Sequence, residues 1–202
     1  MPHDHSHDFD GASAAYRRAL IAVIVLNGAL FFVEMTAGAL AGSRALQADA
    51  LDFGADALTY ALSLAVIGRA LTTRAWVARL KGVSLALMGL WVLGSALYDM
   101  LAPGVPRAEV MGAVGLAALA ANVASVLILM RWRDGDSNVR SVWLCSRNDA
   151  IGNIAVMGAA VAVAALNSGW PDLVVAVGMA GLFLSSSVQI LRRAGHEIAH
   201  GH

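Results

Sequence analysis

Six apolar stretches, at 19–41, 46–69, 80–101, 108–131, 140–166 and 171–191, alternate with short polar connections along the chain. At about 1.5 Å of rise per residue, each is long enough as a helix to cross a hydrocarbon core of about 30 Å. None shows the in-and-out alternation of a barrel strand, and lipid offers no partner to a free backbone amide, so the pattern predicts helices. The expected fold class is all-α integral membrane: a six-transmembrane-helix bundle. Ala102-Pro103-Gly104, Asp134-Gly135-Asp136 and Asn167-Ser168-Gly169-Trp170-Pro171 are the turn signals between spans.

Composition closes off other classes. The chain is 58% hydrophobic and 14% charged, against about a quarter charged in soluble domains. Its net charge is zero, with no basic domain to engage nucleic acid. A single cysteine, Cys145, excludes a disulfide within the chain. The first apolar stretch exceeds a signal-peptide core of about 7–15 residues and follows an acidic, His-rich segment, so it is expected to remain in the mature protein. The organisation expected is a His/Asp-rich tail over 1–17, a transmembrane domain over 18–192 and a short His-containing tail over 193–202.

Basic residues set the expected orientation. Arg17, Arg18, Arg69, Arg74, Arg79, Lys81, Arg131, Arg133, Arg140, Arg192 and Arg193 fall on one side, and only Arg44 and Arg107 on the other, which predicts both termini in the cytoplasm. Arg147 lies within the fifth span. Small residues recur at Ala113, Ala117, Ala121 and Ser125, a stripe expected to let another helix approach closely.

Ionisable side chains inside the spans carry the candidate chemistry, because each is costly there. Glu34, Asp49, Asp52, Asp56, Arg147 and Asp149 are among them. Asp52 and Asp56 stand four apart on one face of span two, and Cys145 and Asp149 repeat that spacing on span five. Facing pairs would supply three carboxylates and a thiolate, a donor set suited to a tetrahedral divalent transition metal. With every donor ionised the set calls for a cation or for protons, so metal and protons compete for it. Alone, the Asp pair also suits an interhelical hydrogen-bonding pair, and Cys145 a small buried hydrophobe. Glu34, Asp49 and Arg147 are assigned a proton-carrying or structural charge role, with Arg147 pairing to Glu34 or Asp49 or reaching the cytoplasmic interface. His3, His5 and His7 at one end, and His196, His200 and His202 at the other, are accessory metal-capture candidates.

A faint internal repeat accompanies these pairs. Leu51-Asp52-x-x-x-Asp56-Ala57-Leu58 echoes Leu144-Cys145-x-x-x-Asp149-Ala150-Ile151, with Asn27 and Asn122 comparably upstream, as in transporters built from inverted repeats.

Asn27, Glu34, Ala48-Asp49-Ala50, Asp52-x-x-x-Asp56, Asn122, Cys145-x-x-x-Asp149 and Asp172 together resemble the transmembrane part of the cation diffusion facilitator family of metal/proton antiporters. The resemblance covers nearly the whole chain and implies a transport site of Asp52, Asp56, Cys145 and Asp149. Zinc members of that family usually have His where this chain has Asp52 or Cys145. Sulfur with oxygen still suits Zn²⁺ first, with Cd²⁺, Co²⁺, Fe²⁺ or Mn²⁺ as alternatives and H⁺ as counter-ion. The resemblance implies a truncated member without the usual cytoplasmic domain, a homodimer held by its membrane helices, residence in the lipid bilayer of a bacterial inner membrane, and no enzymatic activity. An organic-cation exporter, which would wall the acids with aromatic side chains, and a non-transporting metal-binding partner are the competing expectations. Hydropathy puts Asp52 and Asp56 in the outer half of span two but Cys145 and Asp149 in the inner half of span five. Their meeting requires tilt or helices that outrun the apolar limits.

Overall fold

The computed structural model describes the backbone of residues 13–65, 71–102, 104–132 and 137–200, and their side chains apart from 71–75, 132, 137–148, 151, 193 and 196–200. The described residues form six α-helices: α1 (Ala14–Ala41), α2 (Arg44–Ala65), α3 (Leu71–Asp99), α4 (Ala108–Leu129), α5 (Ser137–Leu166) and α6 (Trp170–His200). Four contain stretches long and apolar enough to cross a membrane: Ala14–Ala41, Trp76–Asp99, Ala108–Leu129 and Trp170–Arg192. α2 matches them in length but concentrates Asp49, Asp52 and Asp56, and the described apolar part of α5, Gly152–Leu166, is shorter. Phe32, Leu40, Leu87, Leu116 and Val174 face outward on the spanning helices, the surface a bilayer covers.

α3 and α6 outrun their hydropathy limits furthest. α3 starts at Leu71 rather than near 80, and α6 continues to His200, so residues expected as a tail after 192 extend the last helix. Hydropathy marks where lipid ends, whereas backbone hydrogen bonding continues through good helix formers such as Ala and Arg.

The α1–α2 hairpin turns on two residues. Gly42 adopts the left-handed conformation (φ 71°) that glycine enters without steric cost, and Ser43 N–H returns to Gly38 O at 3.0 Å. Ser43 then caps α2, its Oγ accepting from Leu46 N at 3.0 Å. The helices meet closely at Gly38, where an added Cβ would lie 3.0 Å from the Gln47 backbone nitrogen. Gly38→Ala is therefore expected to destabilise the fold by about 1–3 kcal/mol through overpacking, read as a lowered thermal midpoint in detergent. An unchanged midpoint would show that the hairpin can open to admit a methyl group.

Helix pairing follows the repeat seen in the sequence. α1 packs on α2, α4 on α5, and α1 on α4, making one four-helix group; α3 packs most extensively on α6. The two groups meet mainly through α2 and α5 against α6, over a core that includes Leu46, Val92, Val156, Ala176, Ala180 and Phe183. A second cluster of Tyr16, Leu20, Val23, Tyr60 and Leu129 closes the end of the four-helix group nearest the N-terminus.

The small-residue stripe on α4 is a correction. Ala113 and Ala117 are exposed, and the buried face is Met111, Gly115, Ala118, Asn122, Ser125 and Leu129. A strict four-residue repeat drifts about 40° around the helix at each step, whereas alternating steps of three and four stay on one side.

Candidate metal centre

Asp52 and Asp56 stand one turn apart on α2, and Asp149 approaches from α5 within hydrogen-bonding reach of both. Despite the mismatch of depth that hydropathy suggests, Asp52 and Asp56 in α2 and Asp149 in α5 all stand well inside their helices. Each series continues by another step of four. Tyr60, one turn beyond Asp56, is buried and donates its hydroxyl hydrogen to Asp56 Oδ2; Asn153 lies one turn beyond Asp149. Both residues were legible from the same four-residue spacing that singled out the acids.

Cys145, the fourth expected ligand, lies on α5 with its side chain outside the described residues, as does Arg147. Among the described residues, no three His, Cys, Asp or Glu side chains already form an ion-holding cage. Asp52, Asp56 and Asp149 converge without being closed around a point. His3, His5, His7 and His202 fall outside the described residues, and for His196 and His200 only the backbone, at the end of α6, is described.

Space around the acids is asymmetric. On one side Asp52, Asp56 and Asp149 border a cavity of about 560 Å³ between the two helix groups, which runs along α6 from Met179 to Ile190. Its walls include Leu85, Met179, Leu182 and Phe183, with Ser186 and Gln189 as polar positions. On the other side, the gap among Asn27, Asp49, Asp52, Phe53, Asn122 and Asp149 leaves no room for a water molecule. Asn27 and Asn122, matched in the internal repeat, thus meet at the same place.

Asp49 is buried above this gap, one turn from Asp52. Its partner is Asn153: with the amide oriented by its neighbours, Asn153 donates to Asp49 Oδ1 at 2.9 Å and to Oδ2, while its oxygen accepts from Asn122 Nδ2 at 2.8 Å. Glu34 lies beside Asp49, wholly buried, with the two carboxyl groups within hydrogen-bonding reach of each other.

Farther along, at the α1–α2 turn, Asp172 closes the bundle. Oδ1 accepts from Ser43 Oγ at 2.5 Å and from Ala45 N at 3.2 Å, and Oδ2 from Arg44 N at 2.7 Å. A carboxylate from α6 thus caps the first turn of α2, where free N–H groups and the helix dipole favour negative charge. Arg44 also pairs with Asp99 at the end of α3 (2.6 Å), and Arg107 N–H donates to Ala41 O at 3.0 Å. The acids therefore meet a cavity on one side and a hydrogen-bonded closure on the other.

The pattern of the cation efflux transmembrane domain family matches residues 77–199. The chain is 26% identical over 216 aligned residues to the zinc transporter ZitB of Pectobacterium atrosepticum, covering all of this chain and 66% of that protein. It is 24% identical over 202 residues to the metal cation efflux system protein CzcD of Cupriavidus metallidurans, covering 94% of this chain and 63% of that one. A cadmium, cobalt and zinc/H⁺-K⁺ antiporter of Bacillus velezensis is 23% identical over 217 residues, covering 100% and 67%. The chain thus spans about two thirds of the length of these relatives.

Proposed function

This chain belongs to the cation efflux family of membrane transporters, and from that premise we propose that it exports a divalent transition metal, Zn²⁺ first, from the cytoplasm in exchange for protons. The observation that carries the proposal is the approach of Asp149 to both Asp52 and Asp56 at the closed end of a cavity. Asp52, Asp56, Asp149 and Cys145 bind the ion. Carboxylic acids and a thiol release protons when they take up a dication, so metal and H⁺ occupy the site in turn. The names of the relatives point the same way: zinc appears in two, and one describes exchange of cadmium, cobalt and zinc for other cations.

The excess of positive charge in one set of connections supports both termini in the cytoplasm, and with that orientation the cavity along α6 is the cytoplasmic entrance. Release requires the α3–α6 pair to tilt against the four-helix group, closing that cavity and parting Asp172 from the start of α2. The His residues of the two ends deliver metal to the entrance, in a bacterial inner membrane, and a homodimer is held through membrane helices.

Reconstituted into liposomes, the full chain is expected to accumulate Zn²⁺ when a pH gradient is imposed and to stop when the gradient is dissipated. Accumulation indifferent to the gradient would leave metal transport without proton exchange. The apolar wall of Leu182, Met179 and Phe183 favours a second reading, export of an organic cation. A lipophilic cationic dye that moves under the same gradient and is not displaced by Zn²⁺ would select it.

A further inference from the structure

The bond between Asp49 and Asn153 joins the two helices that carry the acids, one turn from the acids themselves. Asp49 precedes Asp52 by three residues, and Asn153 follows Asp149 by four; since α2 and α5 run in opposite directions, both acids lie about 4.5–6 Å beyond the bond, on the same side of it. Asn122 of α4 holds the other end of the Asn153 amide, so the side chain is gripped from both sides (2.8 Å to Asn122, 2.9 Å to Asp49). Asn153, Asn122 and Asp49 are 0%, 1% and 2% exposed, so no water competes for their hydrogen bonds. A polar group held this way in the interior of a membrane protein adopts one geometry or loses its partners altogether.

We propose that Asn153, anchored by Asn122 and gripping Asp49, is a positioning residue that sets the spacing between α2 and α5, and thereby the size of ion that Asp52, Asp56 and Asp149 accept. This rests on those acids forming the transport site. A fixed spacing favours metal–oxygen distances of about 2.0–2.2 Å, those of Zn²⁺. A loosened one lets the same carboxylates spread around a larger dication such as Cd²⁺, because size selectivity depends on the rigidity of the cage. An apolar contact would hold the helices together but leave their register free to slide; a hydrogen-bonded key admits one register.

The chemistry of the bond provides its own test. N153D sets a carboxylate against Asp49 with no donor between them. Adding D49N restores the bond with the roles exchanged: an amide at 49 donates to a carboxylate at 153, which still accepts from Asn122. Dissociation constants for Zn²⁺ alone and Cd²⁺ alone are measured on the full-length protein in lipid nanodiscs, with its thermal midpoint. N153D is expected to lose about 10–100-fold in Zn²⁺ affinity and less in Cd²⁺ affinity, so that the Zn²⁺ preference narrows about tenfold. The D49N/N153D double variant is expected to recover the wild-type preference.

An unchanged ratio in N153D overturns the proposal, and so does a double variant that regains thermal stability without regaining the ratio, since a merely structural bond behaves that way. Should N153D fail to assemble, Asn153→Ser, too short to reach both partners, takes its place: a narrowed ratio supports the role and a wild-type ratio overturns it. Asp52→Asn and Asp149→Asn are measured alongside. Intact metal binding in those two removes the transport site, whereas lost binding there with an unmoved ratio in N153D removes only the role of Asn153.

Discussion

Asp56→Ala combined with Asp149→Ala is expected to abolish gradient-driven Zn²⁺ uptake while leaving the bundle about as stable as the wild type. The acids lie on different helices, α2 and α5, and stand within hydrogen-bonding reach of each other at the inner end of the α6 cavity. A change confined to the surroundings of a metal ligand costs about 10–100-fold in affinity, so deleting two ligands should exceed that. Stability should change little, because the burden of neighbouring acids gathered in an apolar interior, once relieved, offsets the hydrogen bond that Tyr60 loses at Asp56. Uptake assayed on equal amounts of purified variant in liposomes, beside thermal unfolding in detergent, reads both. Wild-type uptake would take these acids out of the pathway; lost uptake with a lowered midpoint would mark them as structural.

Asp172→Ala is expected to have the opposite signature, a loss of stability of about 2–4 kcal/mol. Its carboxylate, 1% exposed, accepts three hydrogen bonds, from Ser43 Oγ, Arg44 N and Ala45 N. Alanine removes a helix cap, worth about 0.5–2 kcal/mol, and strands buried donors at about 1–3 kcal/mol each, partly recovered as the turn relaxes. Arg44→Ala provides the contrast. The Arg44–Asp99 pair is roughly a quarter exposed on both sides, so its loss should cost under about 1 kcal/mol. Apparent unfolding free energies in one detergent compare the two, and equal effects would mean that the ion pair to α3 secures the start of α2 as firmly as the cap from α6.

Much of the fold was legible because it depends on local pattern. The apolar stretches located all six helices, and the four-residue spacing brought out Asp52, Asp56 and Asp149, which the structure unites. Spacing went unread where it continued to Tyr60 and Asn153, neither of which is ionised at neutral pH and so neither of which stands out among the intramembrane charges. The stripe on α4 misled because a repeat of exactly four resembles a helix period over a turn or two and departs from it over three. Family resemblance alone singles out Asp172; nothing in its surroundings along the chain announces that it caps another helix.

Helix number, helix length and the one-face pairing of the acids follow from residues within a few positions of each other, under the demand that a backbone in lipid satisfy itself. Which face of α4 is buried, how far α5 carries Asp149 toward α2, the grip of Asn153 on Asp49 and the capping of α2 by Asp172 follow from packing instead. Ser43 and Asp172 are 129 residues apart in the chain and 2.5 Å apart in space. Contacts of that kind arise when whole helices settle against each other, and a periodicity read along one helix holds no information about its neighbour.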